Sequence, residues 1–333
     1  MVKRRRWSRR REDDRVAKKE DYALIQDADL ELEQDDLSIP QPEPELEAGE
    51  DPDVQEVESV EHPATPTGNT PQIFAVIGAT GGVGTTSLAT QLAHEFAVST
   101  AQPSLGIRPV DPRICLIDLD FESGACAHHL DLLPSLTLED LCGPSDQIDT
   151  AFTSALVSTH ESGISLLAAP NTVGANARVN PRTVMAILDA AADLYDVVII
   201  DMPRYRQSWS LPVMQAVDVL AVTAELTIPS LHAAREMLTQ IAHEANGSVN
   251  AQAIIGKYER RSFKNMLKLG DAETALGRDI FATICQDPDS TREALNCGEP
   301  AGVLKSDSRF VKDVRTIAGK LKNASPLLLE EAA

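Results

Sequence analysis

The sequence has no apolar run that approaches the roughly 20 residues a helix needs to cross a membrane, so we expect no membrane-spanning segment. The basic residues at its start are not followed by an apolar stretch, which argues against a signal peptide. Its five cysteines include no Cys-x-x-Cys pair, and no histidine lies at ligand spacing from one of them. Such a set argues against a metal–thiolate site and favours a reducing compartment, so we expect a cytoplasmic protein.

Aromatic residues are nearly absent between Leu24 and Pro71, a segment rich in Glu, Asp and Pro. Residues 12–70 hold twenty Asp and Glu against three Lys and Arg. Such a segment cannot bury enough apolar surface to offset its loss of conformational entropy. We therefore predict a disordered tail over 1–70 and one globular domain over 71–333. That domain also lacks a basic excess, with a net charge of −11, so no specific nucleic-acid partner is expected.

The one strongly basic segment is residues 1–11, which contains seven Lys and Arg and no acid. This cluster, Lys3–Arg11, has three interpretations: docking on anionic lipid with Trp7 at the interface, binding to nucleic acid, or a solvated tail that folds back on its acidic neighbour. Because the acidic segment attracts the same cations, we expect weak membrane contact at best.

Short apolar runs alternate with helical patterns from residue 72 onward. Several runs are continuously apolar, which is typical of strands covered on both faces in a parallel sheet. The pattern predicts an α/β fold built on a doubly wound, mostly parallel sheet. Strands are predicted over 72–78, 113–118, 163–168, 196–201, 217–223, 250–255 and 280–285, and helices over 86–98, 145–156, 180–194, 228–245, 262–277, 289–297 and 308–322.

A glycine-rich turn, Ala79-Thr-Gly-Gly-Val-Gly-Thr-Thr-Ser87, joins the first predicted strand to its helix. Glycines let backbone N–H groups approach phosphate oxygens, and the helix start adds partial positive charge. A hydroxyl in the first helical turn can also hold Mg²⁺, a role we assign to Thr86. The alternative is a glycine-rich turn that binds no ligand. The predicted nucleotide-binding residues are Gly81, Gly82, Val83, Gly84, Thr85, Thr86 and Ser87.

The turn lacks the lysines that such loops usually contain. The usual pattern has Lys directly before the Ser/Thr, where this sequence has Thr85. A related pattern has a second Lys before the Gly-Gly pair, where this sequence has Thr80. The charges most closely tied to phosphoryl transfer are therefore missing.

Aspartates end two of the predicted strands. Asp118 and Asp120 close the second strand, and Asp201 closes the fourth. In doubly wound sheets ligand-binding residues collect at the carboxyl ends of strands, and such aspartates beside a phosphate loop contact Mg²⁺ directly or through water. The alternative for each of them is a helix cap or turn residue. The order of glycine turn, Asp-x-Asp and Asp-x-Pro favours the nucleotide site.

These segments together resemble the ParA/MinD superfamily of P-loop ATPases, and within it the CpaE/TadZ branch of tight-adherence (Flp) pilus assembly. The resemblance covers about residues 75–320 and rests on ATGGVGTTSLATQLA, CLIDLDFESGACAHHLDL, YDVVIIDMP and ICQDPDSTREALNCGEP. It implies ATP or ADP with Mg²⁺ as cofactors, Asp120 as the residue that orients attacking water, and Asp287 beside the base. It also implies a homodimer, pilus secretion and assembly proteins as partners, and a place at the inner membrane or cell pole.

The same resemblance leaves three functions open, because Thr80 and Thr85 replace the family's lysines. The first is a nucleotide-binding scaffold for pilus assembly with weak or no ATP hydrolysis. The second is an active ATPase switch for positioning or partitioning. The third is an interaction protein whose nucleotide site is empty.

Overall fold

The computed structural model describes residues 70–98, 113–134, 136–259 and 267–324, and these build one eight-stranded sheet. The sheet order is β3-β4-β2-β5-β1-β6-β7-β8; β3 pairs antiparallel with β4 and all other neighbours are parallel. The strands are β1 (Gln72–Gly78), β2 (Ile114–Asp118), β3 (Ser158–Thr159), β4 (Ile164–Leu167), β5 (Val197–Met202), β6 (Val219–Glu225), β7 (Ala251–Tyr258) and β8 (Ile280–Cys285).

Helices connect the parallel strands. In chain order they are α1 (Thr85–Val98), α2 (Cys126–His129), α3 (Leu138–Cys142), α4 (Thr150–Leu156), α5 (Pro181–Leu194), α6 (Ser210–Ala216), α7 (Ile228–Glu244), α8 (Leu269–Leu276), α9 (Pro288–Cys297), α10 (Ala301–Leu304) and α11 (Arg309–Ala324). None of these helices is both long and apolar enough to cross a bilayer. Residues 1–69 of the predicted tail, with the Lys3–Arg11 cluster, lie outside the described residues.

The predicted fold class is confirmed, and each of the seven predicted strands is present. The prediction misses β3 and the short helices α2, α3, α6 and α10, because segments of two to seven residues are too short to show a period. The helix predicted over 145–156 is interrupted: Ser145–Gln147 form a single 3-10 turn, and Asp149 then accepts a hydrogen bond from the Phe152 N–H (2.7 Å) and starts α4 at Thr150. Of the helix predicted over 262–277, residues 262–266 lie outside the described residues, and α8 begins at Leu269, where Asp271 accepts from the N–H of the N-cap residue Lys268 (2.8 Å).

The core has two layers, one on each face of the sheet. Side chains of a strand point alternately to its two faces, so Phe74 and Val76 of β1 lie in one layer, and Ala75 and Ile77 in the other. The first layer is covered by α1 and α11, and its Phe74 and Phe96 rings stack at 5.3 Å. The second is covered by α5, α6 and α7. Burial of this kind on both faces fixes α1 against the sheet, and with it the glycine turn that precedes it.

Removing a buried side chain from α1 tests this packing. Leu92 is fully buried, so Leu92→Ala should lower the free energy of unfolding by about 2–5 kcal/mol through lost contacts and a residual cavity. Val173 is 93 % exposed, and Val173→Ala should change it by less than about 0.5 kcal/mol. Chemical denaturation of both variants measures the difference, and an equal effect would contradict the assigned packing.

Candidate nucleotide site

Strand register brings the predicted site together at one edge of the sheet. β5 lies between β2 and β1. Asp201 of β5 is level with Asp118 of β2 on one side and with Val76 of β1 on the other. Because these strands are parallel, their carboxyl ends meet at the same edge. The glycine turn after β1 therefore lies beside both strand-end aspartates.

The glycine turn occupies residues 79–84 and needs glycine for its backbone. Gly82 and Gly84 have φ of +74° and +90°, in the left-handed region that side chains rarely adopt. The Leu88 N–H donates to the Gly84 carbonyl (3.0 Å), which starts α1 directly after the turn. The first N–H groups of a helix have no partner within it, so those of α1 can bind an anion beside the turn.

Both threonines that stand in place of lysine are bonded to the protein. Thr85 Oγ1 shares a hydrogen bond with Thr223 Oγ1 (3.1 Å), and Thr223 Oγ1 donates to the Ile77 carbonyl (3.1 Å). Thr80 Oγ1 shares a hydrogen bond with Ser230 Oγ (3.0 Å) at the start of α7. These hydroxyls tie the turn to β6 and α7, and they bring no positive charge to the cleft.

The turn forms one wall of a cleft of about 290 Å³. Most of the predicted site residues line it: the seven nucleotide-binding residues from Gly81 to Ser87, together with Asp120 and Asp201. Asp118 and Asp287 are not among its lining residues. The structure thus brings nine of the predicted site residues together around one cleft.

Asp201 is the buried acid of the cleft. The Thr86 hydroxyl donates to its carboxylate, and so does the Cys126 thiol (Sγ to Oδ2 3.5 Å). Burial, and then the nearby Asp118 carboxylate, raises the pKa of Asp201 well above the usual range. A carboxylate in this state is stabilised by a cation. The oxygens of Thr86 and Asp201 are hard donors and fit Mg²⁺, for which both residues were predicted.

Asp118 has a different role from its neighbour. Its Oδ1 accepts from the Asp120 N–H and its Oδ2 from the Cys126 N–H, both at 3.0 Å. Asp118 therefore folds the loop after β2 and starts α2, which is the turn-and-cap interpretation. The loop needs Gly124, because a Cβ there would lie 2.6 Å from Asp118 Oδ2. One ligand atom each of Asp118, Cys126 and Asp201 lie within 4.8 Å of one another, so a Mg²⁺ contact of Asp118 stays a prediction.

Asp120 and Asp287 differ in their position relative to the cleft. Asp120 is half-buried at the cleft wall, with its Oδ1 accepting from the Ser123 N–H (3.1 Å). It can face a ligand there, and its water-orienting role stays a prediction. Asp287 is the N-cap of α9, and its Oδ1 accepts from the Ser290 N–H (3.3 Å). Its contact with a base also stays a prediction.

Among the cleft-lining residues that sequence reasoning missed, His129 and Arg204 have side chains that can carry positive charge. Burial, and then His128, lowers the pKa of His129 to about 4, so its ring is neutral near pH 7. Arg204 follows the strand-end segment Asp201-Met-Pro, and that spacing was the signal available in the sequence.

Comparison with known proteins identifies proteins that resemble this chain in sequence and in fold. No family profile matches the chain. An uncharacterized ATP-binding protein of Methanocaldococcus jannaschii is 24% identical over 252 residues, covering 75% of this chain and 88% of that protein. Two solved structures share the fold: a ParA family ATPase from Chlorobium tepidum (21% identity, 75% and 98% covered, TM-score 0.65) and MinD complexed with Mg-ADP from Pyrococcus horikoshii (15%, 75% and 96%, 0.60). The chain has the fold of the ParA/MinD P-loop ATPases.

The raised pKa of Asp201 predicts a pH-dependent stability. Ionising Asp201 requires more free energy in the folded than in the unfolded protein. The folded protein therefore loses stability as pH rises above 3.8, the pKa of the carboxyl in the unfolded chain. Without nucleotide or Mg²⁺, Asp201→Asn should therefore raise the free energy of unfolding by more than about 1 kcal/mol at about pH 8, and by less toward about pH 4.

Denaturation curves at the two pH values measure the effect. Exposed Asp189→Asn is the control and should change the free energy of unfolding little at either pH. If Asp201→Asn raises the free energy of unfolding equally at both pH values, burial does not destabilise the Asp201 carboxylate.

Proposed function

We propose that this chain binds ATP and ADP with Mg²⁺ in the cleft beside the glycine turn, and that it acts as a nucleotide-binding scaffold for a tight-adherence pilus apparatus. The observation that carries the binding is the juxtaposition of the left-handed glycines, the start of α1 and the Thr86–Asp201 contact around one cleft. The pilus role comes from the sequence resemblance to the CpaE/TadZ branch. The binding domain is proposed to be 71–333, since β1 begins at Gln72.

The residues of the cleft divide the work of holding a nucleotide. Backbone N–H groups from Gly81 to Ser87 would bind phosphate oxygens, because the glycines of the turn have no side chain to keep a phosphate away from the backbone. Thr86 and Asp201 would hold Mg²⁺, which when bound neutralises phosphate charge. Asp120 would contact water at the outer phosphate. The M. jannaschii ATP-binding protein and the MinD structure with Mg-ADP support this choice of ligand.

Hydrolysis is proposed to be slow or absent. Each missing lysine removes charge-assisted hydrogen bonds of about 1.5–3 kcal/mol to phosphate oxygens. Transition-state charge loses more, since cations at that point contribute orders of magnitude in rate. Thr80 and Thr85 cannot supply the charge, and their hydroxyls are bonded to Ser230 and Thr223.

An active ATPase switch for positioning or partitioning is the second candidate. The observation that favours it is Asp120 at the cleft wall, where a water-orienting carboxylate belongs. Both candidates bind nucleotide and differ in turnover, whereas an interaction protein with an empty site binds none. We propose a homodimer that works in the cytoplasm, at the inner membrane or cell pole, in contact with pilus assembly proteins. These partner and location proposals rest on the family resemblance.

A pair of glycine substitutions tests nucleotide binding. Gly82 (φ +74°) and Gly174 (φ +76°) have nearly equal positive φ angles, and a Cβ at either meets nothing within 4 Å, but of the two only Gly82 lines the cleft. Valine should cause similar strain at both. Gly82→Val should abolish the rise in melting temperature that millimolar Mg-ATP or Mg-ADP gives the wild type, and Gly174→Val should preserve it. No such rise in the wild type would refute binding.

Restoring a lysine tests the catalytic part. Thr85→Lys places a cation beside the phosphates and should raise affinity for ATP by about tenfold, at the loss of one hydrogen bond to Thr223. Wild-type turnover should be far below about one per second, the lower end of common enzyme rates. Calorimetry and a phosphate-release assay measure the two quantities. Wild-type turnover near that rate would instead support the active switch.

A further inference from the structure

Arg204 supplies positive charge to the cleft from outside the glycine turn. It follows β5 and Pro203, whose ring fixes the backbone angle as the chain leaves the strand. Its guanidinium lies against the turn: Nη1 is 3.9 Å from the position a Cβ on Gly81 would take. Among the described residues that line the cleft, Arg204 is the one Lys or Arg, and His129 is neutral near pH 7.

The surroundings of Arg204 leave its donors available. Its guanidinium carbon lies 5.1 Å from the centre of the Tyr205 ring. This cation–π contact stabilises the group and leaves its N–H donors unused. Within the part of the chain that the structure describes, no carboxylate pairs with it. A planar guanidinium with free donors is suited to phosphate oxygens.

Arg206, two residues later, provides the contrast. Its guanidinium donates to both oxygens of Glu244 (2.7 and 2.9 Å) and to Gln240 (3.2 Å) on α7. It does not line the cleft. Two arginines of one loop therefore have separate roles: Arg206 attaches the loop to α7, and Arg204 faces the glycine turn.

The position of Arg204 indicates which end of a nucleotide it meets. In P-loop proteins Mg²⁺ bridges the two outer phosphates of ATP and is held by the hydroxyl and aspartate that correspond to Thr86 and Asp201. Arg204 is three residues after Asp201, and both line the cleft that the glycine turn borders. We propose that Arg204 binds the outermost phosphate of ATP, in place of the absent lysines, and makes the site prefer triphosphate over diphosphate. This inference rests on the proposed nucleotide function.

Calorimetric titration of the full chain in Mg²⁺ tests the role, with ATP, ADP and inorganic triphosphate as probes. Arg204→Ala should lower affinity for ATP and triphosphate by about tenfold or more, and for ADP by less than about threefold. Arg204→Lys keeps the charge but loses the fork of donors, so its ATP affinity should lie between the two. Arg182→Ala is the control: Arg182 is exposed on α5 and does not line the cleft, so this variant should bind all three probes like the wild type. Melting curves without ligand check that each variant is folded.

The outcomes separate the two proposals. Wild-type ATP affinity in Arg204→Ala, or an equal loss in Arg182→Ala, would overturn the role of Arg204 and leave nucleotide binding intact. Arg204-dependent binding of triphosphate without binding of ATP or ADP would show that Arg204 binds a terminal phosphate, but it would refute ATP as the ligand and with it the proposed nucleotide function. Failure of all three probes to bind the wild type would overturn both.

Discussion

The candidate site depends on the parallel register of three central strands. β2, β5 and β1 are neighbours, and Asp201 is level with Asp118 on one side and Val76 on the other. A slip of one residue in any pairing would turn these side chains to the other face of the sheet. The register is held by burial on both faces, since β2 and β5 are buried at every residue. The packing that stabilises the core therefore also aligns the residues of the candidate site.

The sequence predicts best those features that burial on two faces imposes. Continuous apolar runs identify the seven longer strands, and the glycines at 82 and 84 identify a turn whose φ angles exclude other residues in practice. β3 has two residues, and α2 has four, so neither shows a period. Their places are set by contacts outside the segments themselves. An example is the Asp118 carboxylate, which starts α2 by accepting from Cys126 eight residues later.

Asp118 and Asp201 show why a site cannot be assigned from residue type and strand position alone. Both end a central strand, both are buried, and both have a raised pKa because of that burial. Asp118 accepts two backbone N–H groups and organises its own loop. Asp201 meets the Thr86 hydroxyl at the cleft. From the sequence alone, the two are equivalent metal candidates. Only the hydrogen bonds of the folded chain distinguish the loop-forming carboxylate of Asp118 from that of Asp201, which is available to a cation.

The location of positive charge decides what the cleft can do. A lysine in the glycine turn is placed by the turn itself, so its position relative to the phosphates is fixed before the ligand arrives, and such preorganisation is what lowers a transition-state barrier. Arg204 is exposed and sits on a loop after β5. A cation on such a loop can neutralise a bound phosphate, but holding it there costs side-chain entropy that a fixed lysine does not require. An arrangement of this kind favours binding over chemistry. In the proposed site, the hydroxyls of Thr80 and Thr85 are bonded within the fold, so phosphates would be bound by the backbone and Arg204.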